Sequence, residues 1–215
     1  MSDLYTLRKQ DVPRAREVLK DAFRHDPVWN KLFEGQQRKE VRLSAFFETP
    51  IRYSLRYGQV AATSVDLEGV AAWVPGRHAG MSVWGMILSG AMACGMRIGM
   101  DVMRKMWPAL TPIERDRRQY MRSTAFTYLQ IIGVGSQHQG KGFGGRLLRA
   151  IIAESERNGH HLYLETETEE NVRLYERFGF RVVKKLMLPG LELPMWEMER
   201  EPAQVGREAS SLTPG

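Results

Sequence analysis

Val134 to Gly145, VGSQHQGKGFGG, follows an apolar run and opens an amphipathic one, and its glycines and lysine are the residue types that cradle a phosphate. Three phosphate-binding frames overlap in it. Gly135, Gly140 and Lys141 fit a nucleotide triphosphate loop, but the position after the lysine is Gly142, where Mg²⁺ ligation requires Ser or Thr. Gly140, Gly142 and Gly145 fit the dinucleotide pattern, and Glu165 follows about 20 residues on, where a ribose-binding acid belongs. Against that frame, Gly135 to Gln139 separate the preceding strand from the first glycine, and too little chain follows to complete a six-stranded dinucleotide sheet. The third frame is Gln139-Gly140-Lys141-Gly142-Phe143-Gly144. Here the backbone N–H groups of Gly140, Gly142, Gly144 and Gly145 can approach a pyrophosphate at a helix N-terminus, whose dipole adds partial positive charge. Lys141, Arg146 and Arg149 supply further cations for phosphates or stand as solvated helix residues.

The elements that must hold this loop are readable from pattern. Thr127 to Val134 is a β-rich run before it, and Leu147, Leu148, Ile151 and Ile152 repeat on one helix face after it, up to Asn158-Gly159. Leu162 to Thr166 reads as a strand, Glu170 to Phe178 as a short helix, and Arg181 to Leu186 and Pro194 to Met198 as two final strands. In the first half, Leu4 to Arg8 reads as a strand and Arg14 to Phe23 as a helix opened by Asp11-Val12-Pro13 and ended by Asp26-Pro27. A second helix runs from about Arg38 to Tyr57, stopped by Gly58, and Gln59 to Thr63 with Gly69 to Val74 reads as a hairpin. Asn171 and Tyr175, four apart, share a face of their helix and can address one ligand.

The third frame, followed by Asn171-Val172-Arg173-Leu174-Tyr175-Glu176-Arg177-Phe178-Gly179-Phe180, resembles the two signatures of the GCN5-related N-acetyltransferase (GNAT) family. Within it the chain is similar to the puromycin N-acetyltransferase-like branch, sharply from about Tyr128 to Val183 and more weakly at AFRHDP and GVAAWVP. The resemblance implies an α/β GNAT fold: a mixed, mostly antiparallel sheet of six to seven strands flanked by helices; the Met-rich stretch, about 79–120, reads from its own composition as a helical insertion. It implies acetyl-CoA as co-substrate, bound by Gln139, Gly140, Lys141, Gly142, Phe143, Gly144 and Gly145, with Ile132 and Val134 offering backbone groups and Asn171 a side chain to the pantetheine arm. That arm would enter a slot where the strand before the loop splays from its neighbour. Tyr175 would be the acid for the leaving thiolate, since a thiol of pKa near 8.5 needs a proton as it departs; otherwise it packs with Leu174 and Phe178.

A protonated amine acceptor must lose a proton before it attacks, so a carboxylate or a water chain is required. Glu165, Glu167, Glu169 and Glu170 crowd a strand end, and Glu165 is the candidate base because its alternation with Leu164 turns it toward the slot. His138, His160 and His161 lack metal-ligand spacing, so no metal is expected. The expected activity is direct acetylation of a small molecule's primary amine in a ternary complex. A protein or peptide N-acetyltransferase, or a non-catalytic acyl-CoA-binding regulatory module, is the alternative.

Composition sets the bounds. With 215 residues and 43% hydrophobic content, the expectation is one domain over 1–200 and a disordered tail over 201–215. A net charge of +6 suits an anionic ligand but lacks the dense cationic stripe of a nucleic-acid binder, so none is expected. Cys94 is the only cysteine and the start has no apolar leader, which reads as cytoplasmic; an oligomer is compatible with the sequence. Ala79 to Trp107 carries seven of the twelve methionines and no charge between His78 and Arg97. Its glycines and serines, then Arg97 and Asp101, argue against membrane insertion. It reads as one or two helices with small residues inward, or as a Met-lined pocket for an apolar substrate.

Overall fold

The computed structural model describes residues 4–203. Seven strands, β1 (Tyr5–Thr6), β2 (Gln59–Ala62), β3 (Gly69–Pro75), β4 (Phe126–Val134), β5 (His161–Thr166), β6 (Arg181–Leu188) and β7 (Leu193–Arg200), form one sheet in the order β1-β2-β3-β4-β5-β7-β6. Only β4 and β5 run parallel. The expected mixed, mostly antiparallel sheet is therefore present. The tail expectation lies mostly outside the described residues.

Strand alternation builds the core on both faces. Val70 and Ala72 of β3 join Ala15, Leu19, Phe47 and Ile51 of α1 (Val12–Ala22) and α3 (Lys39–Tyr57), whereas Ala71 and Trp73 join Leu147, Leu148 and Ile151 of α7 (Phe143–Arg157). Two β3 neighbours pointing to opposite faces are the two-residue period of a strand buried on both sides. Gly58 ends α3 for a steric reason: a Cβ there would lie 2.1 Å from the Trp73 carbonyl oxygen.

Two expectations need correcting. Asp26-Pro27 does more than end α1: it opens a further helix, α2 (Pro27–Leu32), whose N-cap is the Asp26 carboxylate, accepting from Val28 N (2.9 Å) and Trp29 N (3.1 Å). Proline at the first helical position loses no intrahelical bond, so Asp-Pro is a start as well as a stop. The Met-rich segment forms three helices, α4 (Val83–Leu88), α5 (Met92–Ile98) and α6 (Met100–Tyr120), rather than one or two. Gly85, Ala91, Cys94 and Ala109 are buried as expected of its small residues, but Met96 and Met100 face solvent, not a pocket. Among the described residues no helix is long and apolar enough to cross a membrane.

Candidate active site

The slot is built by two features of β4. β5 pairs with β4 only at Phe126, Thr127 and Tyr128, although β4 continues to Val134 and β5 to Thr166. Beyond Tyr128 the two strands have parted. At the same point the β3–β4 register slips: Ala72 pairs Ile131 and Trp73 pairs Leu129, leaving Gln130 as an extra residue. That bulge turns the strand, so Leu129 packs in the α7 core while Ile131 packs in the α1–α3 core. Gln130 Oε1 accepts from Ser54 Oγ at 2.6 Å, and its Nε2 is buried with no partner among the described residues.

The glycine loop is held at one end of this slot. Gly135 N donates to the Glu68 carbonyl (2.9 Å), Ser136 N to the Asp21 carboxylate (2.6 Å), and Gln139 Nε2 to the Val134 carbonyl (3.1 Å). The Ser136 backbone bond holds the Asp21 carboxyl below its ordinary value, a sign that the clamp favours the ionised form. Gln139 thereby fixes the loop through the Val134 carbonyl. Gly140 (φ 74°) and Gly142 (φ 84°) are left-handed, and a Cβ at either would meet nothing within 4 Å. Gly142 is the N-cap of α7 and offers no side chain to its first turn, so the N–H groups of that turn point into an open cradle. A pyrophosphate fits such a cradle, with Lys141 exposed beside it. Gly144 and Gly145 lie inside the first turn, where a Cβ would touch Val134, and Phe178 with Arg149, respectively; Phe143 packs its ring edge-on to His138.

After β5 comes α8 (Glu169–Glu176), capped by Thr168, whose Oγ1 accepts from Asn171 N at 3.2 Å. Asn171 is half-buried, and Tyr175, one turn on, is buried against Phe180 in the α7 core. Burial and then the charge of Glu167 raise the Tyr175 phenol, so it holds its proton more tightly than a free tyrosine. Glu167 is hydrogen-bonded to Asp26 at the mouth of α2, and burial together with that neighbour pushes its carboxyl well above the ordinary range. The α1–α2 junction thus reaches across to the end of β5.

Glu165 does not stand free in the slot. Its Oε1 pairs with Arg117 Nη1 of α6 at 2.8 Å, its Oε2 accepts from Tyr128 at 2.6 Å, and the paired side chains are 7% and 8% exposed. Arg117 also lies over the Tyr128 ring at 4.2 Å. Both oxygens of the carboxylate expected as the base are thus engaged, by Arg117 and by Tyr128. Arg117, Tyr128, Glu167 and Asp26 were not singled out as site residues from sequence, because they meet only through pairings far apart in the chain; Asp26-Pro27 carried a capping signal. Among the described residues no three His, Cys, Asp or Glu side chains cluster so as to hold a metal ion.

Residues 111–182 match the acetyltransferase (GNAT) domain. The chain is 28% identical over 95% of its length to an uncharacterized N-acetyltransferase of Schizosaccharomyces pombe, covering 85% of that protein. Its fold matches a Corynebacterium glutamicum structure described as histone acetyltransferase HPA2 and related acetyltransferase, at 22% identity and TM-score 0.62, covering 95% of this chain and 99% of that one. It also matches yncA of Salmonella typhimurium, solved with its cofactor acetyl-CoA, at 20% identity and TM-score 0.52, covering 95% of each chain. The fold is thus the GNAT fold, and domain and relatives support an N-acetyltransferase enzyme.

Proposed function

We propose that this acetyltransferase moves the acetyl group of acetyl-CoA to a primary amine of a small molecule by direct attack, with both substrates bound at once. The observation that carries the reading is the parting of β4 from β5 beside an open glycine cradle. Gln139 to Gly145 would hold the pyrophosphate, the β4 backbone at Ile132 and Val134 and the side chain of Asn171 would orient the pantetheine arm, and Tyr175 would protonate the departing sulfur. Backbone N–H near Val134 would stabilise the thioester oxygen as charge develops on it.

The proton of the amine needs another acceptor, and Glu167 fits that role better than Glu165. Its carboxyl lies near both Tyr175 and Asp26, and its raised affinity for a proton suits a general base, while Glu165 is held by Arg117 and Tyr128. The resemblance to the puromycin N-acetyltransferase-like branch favours a small acceptor. Release of free thiol from acetyl-CoA, measured across a panel of amines that includes puromycin, tests the reading. Turnover with at least one small amine supports it. Coenzyme A binding without thiol release for any amine or peptide would leave the non-catalytic acyl-CoA-binding module.

A further inference from the structure

Nine of the exposed large apolar side chains lie between Met81 and Leu110: Met81, Val83, Trp84, Ile87, Leu88, Met96, Met100, Trp107 and Leu110. Apart from Met81, just before α4, they occupy the outer sides of α4, α5 and α6, which pack in succession, and the acetyl-transfer slot uses none of them. Trp84 is 74% exposed, Trp107 69%, Met96 75% and Met100 77%. Isolated apolar residues on a surface are ordinary, but this many on adjoining helices form a patch that a partner covers.

The charges around the patch select the partner. No acidic residue occurs between Glu68 and Asp101, and Asp101 is taken up by Arg42 at 2.7 Å. Arg104 and Lys105, exposed on α6 between Met100 and Trp107, have no ion pair or hydrogen bond among the described residues. A second copy of this chain would bring the same two cations and no acidic residue on α4 or α5 to answer them. An anionic lipid surface accepts both the cations and the apolar side chains. Tryptophans at the headgroup level, flexible methionines and lysine or arginine beside them are the composition of helices that lie in the membrane interface. None of these helices can span a bilayer, so the contact is peripheral.

We propose that α4, α5 and the first turns of α6 dock the protein on an anionic membrane surface, with Trp84 and Trp107 inserted at the headgroup level and Arg104 and Lys105 on the lipid phosphates. The inference is independent of the acetyl-transfer reading.

Cosedimentation of the full chain with phosphatidylcholine vesicles, and with vesicles of equal parts phosphatidylcholine and phosphatidylserine, tests it. The chain is expected to pellet with the mixed vesicles, to do so less in high salt, and to pellet little with phosphatidylcholine alone. Arg104→Gln with Lys105→Gln should lower partitioning by about tenfold or more at low salt. Trp84→Ser with Trp107→Ser should lower it comparably in both high and low salt. All four side chains are exposed, so the melting temperature and acetyl transfer to a soluble amine should hold. No binding to the mixed vesicles, or binding that neither pair of substitutions weakens, overturns the proposal. So does a chain that self-associates by light scattering through Trp84 and Trp107, or one that binds an acidic protein and not lipid.

Discussion

At the residue scale, Gly142 and Tyr175 carry the two tests that separate binding from chemistry. Gly142 sits at φ 84° with open space over its α-carbon, so Gly142→Val adds both left-handed strain and a branched wall where a pyrophosphate would approach. The strain costs about 1–2 kcal/mol of stability, which a folded chain survives, while coenzyme A binding should vanish by calorimetry. Gly142→Ala keeps most of the strain with less bulk and should bind more weakly than wild type yet measurably; unchanged affinity in the folded valine variant would remove this loop from the binding site. Tyr175→Phe keeps the ring packed on Phe180 and deletes one proton. General acid catalysis contributes about 10²- to 10⁴-fold, so kcat should fall at least roughly tenfold with coenzyme A affinity nearly unchanged. A tyrosine that only packs would keep both its melting temperature and its turnover per folded molecule. Both residues were legible in the sequence because a glycine spacing and an i to i+4 pair are local patterns. Glu165 and Glu167 were not separable that way: two residues apart on one strand end, they differ only in what distant elements bring to them, Arg117 in one case and Asp26 in the other.

At the element scale, the Arg117–Glu165 pair is one of the bonds that fasten α6 to the sheet, with Lys184 on Asp116 and Tyr120 on Glu199. The pair is buried, and Glu165 also receives the Tyr128 hydroxyl from β4, so α6, β5 and β4 meet at the base of the slot. Removing one member of a buried pair leaves the other charge without its partner and typically costs about 3–5 kcal/mol, whereas removing both can be nearly neutral. Arg117→Met alone should therefore lower the denaturation midpoint sharply, and adding Glu165→Gln should restore much of it. Additive losses in that double-mutant cycle would mean that the two side chains are not coupled. The helices and strands themselves were mostly readable from sequence, since apolar periodicity survives in them. The bulge at Gln130 was not: neither Gln130 nor its neighbours Leu129 and Ile131 is a glycine or proline, and the irregularity exists only in the pairing with β3.

At the scale of the whole molecule, strand order is the least local property of the chain, and only a family resemblance anticipated the sheet. β7 lies between β5 and β6, an arrangement that periodicity does not encode. One consequence is a buried carboxyl on β7 that the sequence did not mark. Glu197 is 1% exposed, accepts from Tyr163 of β5 at 2.6 Å, and leaves Oε1 with no partner among the described residues. Burial, then the nearby charges of Glu165 and Asp116, raise its carboxyl, against the opposing hydrogen bond of Tyr163 and the charge of Lys184. The folded chain therefore holds a proton at Glu197 over a range of pH in which the unfolded chain has already released it. Across that window, from the ordinary carboxylate value upward to the folded value, the stability Glu197 contributes falls as pH rises. Glu197→Gln is uncharged at every pH and keeps an acceptor for Tyr163. Global unfolding of wild type and variant, followed from weakly acidic to neutral pH, should show wild type losing stability relative to the glutamine chain, which becomes its equal or better at neutral pH. A wild type that instead gains on the variant as pH rises would mean that the buried carboxylate is stabilised in its charged form by groups across the sheet.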